Sequence, residues 1–469
     1  MDYDLNTLRG NSAVKTCSVR LSATLLFLLA IAAFGYIALG GLTLAYDLHG
    51  STIEAAIPDL GSGVDAYIDF ALQNSPRLHA ARYEWLASIE EQAIAGTLPD
   101  PVLSYGYFVE NIETRVGPQR HRIGLRQTVP WFGTLGARKG VKSKYANAAS
   151  MKYEAEKLVL MSEVRTAYYD YFLLRRKCEL ISEHIDILAL WEPIARTRYE
   201  TGLDEYSELV SIRVEKRLLE IELQQIVDEA ALAQTRLRLT TNLPASAVLP
   251  DPVPYSRPTD QLEVDSLIAL ALEMNYDLRA IQQVVEGAAL SIESTRKDYM
   301  PNLTIGIDYI ETAKARYANP PDNGKDSWLI SASVSMPIWF GKNASKVKEA
   351  VALRKAKESK YAHSRNELAV VVERTASSYN DNMRRIKLYS EEIIPALESS
   401  LASLFASYEG GRIDIGQLLN AGQRLIDSRF ELEEFRRNAA VRFAEIRMLT
   451  GSDITEDLSK PDWKGLDQK

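Results

Sequence analysis

Two periods of hydrophobicity take turns along this chain. Within residues 136–198 the apolar positions Leu158, Met161, Tyr168, Tyr171, Cys178, Ile181, Ile185 and Leu188 recur at coiled-coil spacing. From Leu209 the series runs on through Ile212, Leu219, Leu223, Ile226, Ala230, Ala233 and Leu237, and Leu418, Leu425, Leu432, Ala439 and Ile446 are spaced by sevens. Such spacing predicts long helices packed side by side with a supercoil. Segments 65–97 and 265–298, rich in Ala, Glu, Leu and Arg, predict further helices, ended by Pro99 and Pro101 in one case and by Pro301 in the other. Beyond these prolines the period changes to two. Leu103, Tyr105, Tyr107 and Val109 share one face of 102–109, and Ile123, Leu125 and Val129 one face of 123–129. Leu303, Ile305, Ile307 and Tyr309 oppose Thr304, Gly306 and Asp308, while Trp328, Ile330, Ala332, Val334 and Met336 oppose Ser331, Ser333 and Ser335. Alternation of this kind is the strand signature, and the polar loops 110–120 and 312–326 make each pair a hairpin.

The chain is two copies of one plan. Leu78-His79-Ala80 matches Leu278-Arg279-Ala280, Trp131-Phe132-Gly133 matches Trp339-Phe340-Gly341, Tyr199-Glu200-Thr201-Gly202 matches Tyr408-Glu409-Gly410-Gly411, and Leu239-Thr240 matches Leu449-Thr450. The matches keep their order while the offset drifts from 200 to 210. Residues 65–244 form the first repeat, with its hairpin at 102–130. Residues 265–451 form the second, with its hairpin at 302–337. A Pro-rich linker, 245–264, joins them, and 452–469 is a C-terminal tail. The expected fold class is therefore mainly α with a small β part, a tandem-repeat array of long coiled-coil-like helices carrying four strands per chain. Helix 136–198 would span about 95 Å, against about 50 Å and about 55 Å for 65–97 and 206–242, so two short helices stacked end to end match one long one. That is too extended for a compact globule and suits part of a tube.

Strands of about ten residues, apolar and aromatic on one face and rich in Ser, Thr, Gly and Asp on the other, suit lipid outside and water inside. Four strands cannot close alone, because membrane barrels begin at about eight, and an open edge cannot persist in lipid. Periodicity fits soluble hairpins packed on helices equally well.

Composition narrows the classes. A formal net charge of −8 argues against nucleic acid as a partner. Cys17 and Cys178 are the two cysteines, and neither they nor the scattered histidines have zinc-site spacing. There is no Gly-x-Ser-x-Gly, no His-Glu-x-x-His, no Gly-x-x-x-x-Gly-Lys and no dinucleotide fingerprint, so neither catalysis nor a cofactor is expected. Arg9, Lys15 and Arg20 precede an apolar run from Leu21 to Tyr46, which makes 1–46 a signal peptide or a membrane-anchoring segment, followed by a linker at 47–64. An anchored periplasmic coiled-coil scaffold is the alternative. It has no use for four strands with lipid-compatible faces.

The hairpin-to-helix junctions Gln127-Thr128-Val129-Pro130-Trp131-Phe132-Gly133 and Pro337-Ile338-Trp339-Phe340-Gly341-Lys342 resemble those of the TolC-type outer membrane efflux proteins. So do the turn segments Tyr199-Glu200-Thr201-Gly202 and Tyr408-Glu409-Gly410-Gly411-Arg412. The resemblance implies a homotrimer whose twelve strands close a barrel in the outer membrane of a Gram-negative bacterium. Its helices would extend into the periplasm to meet an adaptor (membrane fusion) protein and an inner-membrane pump of the resistance-nodulation-division type. Leu98-Pro99-Asp100-Pro101 and Val109 to Gln119 resemble the heavy-metal branch, which would make cations the cargo. The resemblance also puts the turns near 199–208 and 408–420 at the periplasmic tips, with Gly202, Gly410 and Gly411 in the reversals. Gln417 and Asn420 stand where family members often carry carboxylates, leaving Asp414 and the first-copy Asp204, Glu205 and Glu208 to supply negative charge to a gate. Solvated helix ends use the same residue types, and the three first-copy carboxylates also suit a helix N-terminus. Trp131, Phe132, Trp339 and Phe340 fall where barrel would meet helices, although core packing draws on the same residues.

Overall fold

The computed structural model describes residues 63–254, 261–317 and 320–451. The expected signal or anchor segment, the tail and the middle of the Pro-rich linker lie outside them. Two units emerge. One comprises residues 98–131 and 300–338, and the other the helices before, between and after them.

In the helical unit, α1 (Val64–Asn74) and α2 (Pro76–Ala95) replace the single helix expected over 65–97. Ser75 takes an extended conformation, and its hydroxyl accepts a hydrogen bond from the Leu78 N–H while Pro76 opens α2. The second copy breaks at the equivalent place without a proline. There α5 (Val264–Met274) yields to α6 (Tyr276–Lys297) at Asn275, whose Oδ1 accepts from the Leu278 N–H at 2.9 Å. A capping side chain thus suffices to restart a helix, by satisfying a donor that the new first turn leaves unpaired.

The long helices follow the heptads. Helix α3 (Thr134–Glu200) has 67 residues, about 100 Å, and turns into α4 (Tyr206–Thr241). In the second copy α7 (Phe340–Leu388), a π-helical turn at Tyr389–Ile393 and α8 (Ile394–Glu409) stand where the first copy has the one long helix α3, and α9 (Ile415–Leu449) returns. The π turn ends two residues before Pro395, which has no N–H for the regular ladder, whereas Pro193 sits within α3 without such a turn. Helices α2, α4, α6 and α9 all pack against α3, and α7 packs against α5, α6 and α9. Three apolar clusters hold this array: one around Tyr67, Val164 and Leu237, one around Ile181, Ile212 and Leu418, and one around Leu267, Tyr379 and Ile446. The sevenfold series Leu418, Leu425, Leu432, Ala439 and Ile446 is buried throughout. Among the described residues no helix is long and apolar enough to cross a membrane.

The other unit is one antiparallel sheet in the order β1 (Val102–Tyr107), β3 (Gly117–Val129), β4 (Leu303–Thr312), β5 (Ser327–Val334), with the two-residue β2 (Glu113–Thr114) beside β3. β1 stops at Tyr107, so Val109 lies beyond the strand, 86% exposed. β3 and β4 join the two copies, pairing from Val129↔Leu303 to Gln119↔Thr312 with a bulge at Arg120. In this register Leu103, Leu125, Ile307 and Ile330 line up across one face, and Ser104, Gly124 and Asp308 across the other. β1 and β5 each keep one edge unpaired among the described residues.

Candidate functional site

The two interhelical turns are built alike. In the first, the N–H of Gly202 donates to the Tyr199 carbonyl (3.0 Å) and that of Leu203 to the Arg198 carbonyl (2.8 Å). In the second, Gly411 donates to Tyr408 (2.9 Å) and Arg412 to Ser407 (2.9 Å), each 209 residues later. This is a Schellman motif, whose C′ residue must be left-handed, and Gly202 (φ +70°) and Gly411 (φ +68°) meet that demand. Gly410 does not: its φ is −76°, and it occupies the place that Thr201 fills in the first copy.

Arg198 binds the two turns together. Its Nε and Nη2 each donate to Asp204 at 2.7 Å, and its Nη1 donates to the Glu409 carbonyl in the other copy at 3.0 Å. The guanidinium also lies 5.0 Å over the Tyr408 ring, and the Tyr408 hydroxyl donates to Asp204 Oδ2 at 3.0 Å. Arg198 and Asp204 are 12% and 7% exposed at the side chain, and Tyr408 is fully covered. The Arg198 guanidinium holds the Asp204 carboxyl below its ordinary range. Burial, and then the Asp204 charge, push the Tyr408 hydroxyl up. Burial and Asp204 likewise raise Glu208, which the Ile415 N–H partly offsets.

The carboxylates expected at the tips thus divide. Asp204 and Glu208 face inward, into this clasp. Glu205 is exposed at the start of α4 and accepts from the Ser207 hydroxyl at 3.2 Å. Asp414 is exposed too, capping α9 by accepting from the Gln417 N–H at 3.1 Å, while the Gln417 side-chain amide also reaches it. Asn420 is exposed one turn further on. Among the described residues no group of three or more His, Cys, Asp or Glu side chains could hold a metal ion.

At the crossings between the units the chain passes through Pro130-Trp131-Phe132-Gly133 and Pro337-Ile338-Trp339-Phe340-Gly341. Trp131 (45%), Phe132 (89%), Trp339 (69%) and Phe340 (78%) are all well exposed. Gly133 caps α3 at φ +77°, whereas Gly341 has ordinary backbone and open space around it.

Arg198 and the hydroxyl of Tyr408 escaped the sequence reading. The available signal was an arginine six residues before an aspartate across a tight turn, beside a repeated tyrosine that packing alone does not require.

Comparison with known proteins bears on the fold. Residues 267–452 match the family described as outer membrane efflux protein. The outer membrane protein TolC of Vibrio cholerae serotype O1 is 22% identical over 329 residues, 67% of this chain and 73% of TolC. CusC superposes with a TM-score of 0.70 at 15% identity over 83% of this chain and 92% of its own. The outer membrane protein VceC of Vibrio cholerae does so with a TM-score of 0.68 at 17% identity over 83% of this chain and 96% of its own. With the family model on the second copy, a TolC relative across two thirds of the length and one fold throughout, the chain is similar to the TolC-type outer membrane efflux proteins and shares their fold.

Proposed function

We propose that three copies of this chain close a duct through the outer membrane, with the unpaired edge of β1 in each copy completing that of β5 in the next. The chain is an outer-membrane channel subunit of an efflux system, a passive conduit and not a catalyst. The observation that carries this reading is the two-faced sheet with open ends. Leu103, Leu125, Ile305, Ile330 and Val334 stand exposed on one face, which lipid satisfies, while unpaired strand edges in lipid require a neighbour. A head-to-tail contact of this kind closes into a ring, and three fourfold sets give twelve strands.

The paired turns form the periplasmic tip, where an adaptor protein and a resistance-nodulation-division pump engage. In this reading the Arg198–Asp204–Tyr408 clasp holds the two helical hairpins of each subunit together and keeps the tip narrow. Glu205 and Asp414 face the solute as rings, one of each from every subunit. Fractionation of expressing cells followed by size determination in detergent tests the assembly. A trimer in the outer membrane is expected; a monomer or dimer in the inner membrane returns the anchored scaffold.

A further inference from the structure

We propose that the polar face of the sheet draws anions at its own level of the channel, against the carboxylate rings of Glu205 and Asp414 at the tip, through an arginine that the neighbouring carboxylate leaves uncompensated; the inference rests on the reading of that face as the water-filled lumen. Arg122, Gly124 and Arg126 of β3 share the face with Ser104 and Gly106 of β1, Thr304, Gly306 and Asp308 of β4, and Ser331 and Ser333 of β5. Arg122 takes both Asp308 oxygens, Nε to Oδ1 at 3.0 Å and Nη2 to Oδ2 at 2.9 Å. Arg126 reaches only the edge of the same carboxylate, its Nη2 3.5 Å from Oδ1. Two guanidinium charges thus meet one carboxylate, and the other side chains of this group are neutral.

The small residues around the triad show that the site is built. A Cβ on Gly124 would collide with Asp308 Oδ1, and one on Gly306 would come within 3.1 Å of Arg126 Cγ, so the charged side chains lie across bare backbone. The result is layered. Asp308 is wholly covered, while Arg122 and Arg126 are each 39% exposed above it. A solute moving along this face meets guanidinium and not carboxylate.

Repeated in each subunit of the duct, the excess charge becomes a ring of arginines at one level of the lumen, the arrangement by which pores favour anions and phosphates. The solute that this level of the duct favours is an organic anion carrying carboxylate or phosphate groups. Rings narrower than bulk water concentrate counter-ions, and a lumen potential of about one kT shifts the anion-to-cation ratio by roughly sevenfold.

The test is the reversal potential of the full-length protein in planar bilayers under a potassium chloride gradient. Relative to wild type, Arg126→Gln is expected to shift the reversal potential toward potassium preference and Arg126→Glu to shift it further in the same direction; Arg126→Lys should leave it in place. Arg126 is chosen because its loss leaves the Arg122–Asp308 pair intact. A reversal potential that Arg126→Glu leaves unmoved overturns the proposal while leaving the channel standing. A protein that inserts as a trimer and conducts nothing even as Arg198→Ala, with the clasp removed, overturns the channel reading as well.

Discussion

The two tip turns share a backbone and differ in nearly every side chain that acts. Position by position, Arg198 faces Ser407, Thr201 faces Gly410, Leu203 faces Arg412, Asp204 faces Ile413 and Glu205 faces Asp414. Both turns keep the left-handed glycine and both keep a tyrosine, Tyr199 and Tyr408. Only Tyr408 is turned inward to a carboxylate; Tyr199 is 43% exposed and lies 5.4 Å from the Tyr206 ring. The first turn therefore supplies the charged half of the clasp, and the second supplies a hydroxyl and a carbonyl. Duplication preserved what the reversal of a helix demands of the backbone. The side chains were free to specialise, because a partner from the other copy can satisfy what one copy alone cannot.

Removing the charged half should break this asymmetry most. Arg198→Ala leaves Asp204 buried beside Glu208 without a cation, at a cost of about 2.5 kcal/mol, so the open-to-closed ratio in single-channel recordings should rise by roughly seventyfold. An unchanged open probability would falsify the clasp as a gate. The second copy's contribution is smaller. Tyr408→Phe removes one hydrogen bond to a charged acceptor, about 1.5 kcal/mol or roughly tenfold by the same recording, while Tyr199→Phe should leave the ratio unaltered. Helix capping sharpens the contrast in the opposite sense. Asp414→Ala loses a side-chain cap on α9 and about 1 kcal/mol of local stability. Amide exchange at Ile415 to Leu418 should accelerate accordingly, with Glu205→Ala producing no comparable change at the start of α4, where no side-chain cap exists.

Acidity provides the mildest probe. Burial, and then the Asp204 charge, hold the Glu208 carboxyl above its ordinary 4.5, so the clasped arrangement binds that proton more readily and gains stability as pH falls from neutral toward that value. Asp204 is held below its ordinary 3.8, so its contribution is complete above that pH and is lost only as pH falls through its lowered value. Open probability should therefore decline on mild acidification and climb again in stronger acid. Glu208→Gln should abolish the decline and spare the climb.

Much of this architecture is legible in the sequence because it rests on periods. Sevenfold apolar spacing commits α3, α4 and α9 to helix whatever their neighbours, and alternation commits β3 and β4 to strand, because burying one face is a local requirement repeated along the segment. The offset of 209 between Gly202 and Gly411 likewise follows from a backbone need that each turn carries within itself. Other features depend on residues far apart in the chain. Asn275 looks like any polar residue until its amide caps a new helix. Pro395 gives no sign that a π turn will precede it, since Pro193 sits within α3 without one.

The chemistry of the sites shows the same limit more clearly. A list of tip carboxylates treats Asp204, Glu205, Glu208 and Asp414 alike. Tertiary structure alone turned the first and third inward, because Tyr408, with Arg198 over its ring, reaches Asp204 in a contact that spans 204 residues of sequence. In the sheet, the sequence by itself put Asp308 on the polar face with Thr304 and Gly306. Only the pairing of β3 with β4 decided that two arginines would share it, since cross-strand register and not chain order determines which charges meet. Periodicity is written residue by residue and survives in the sequence, whereas the partner of a buried charge is fixed only when the helices and strands have docked.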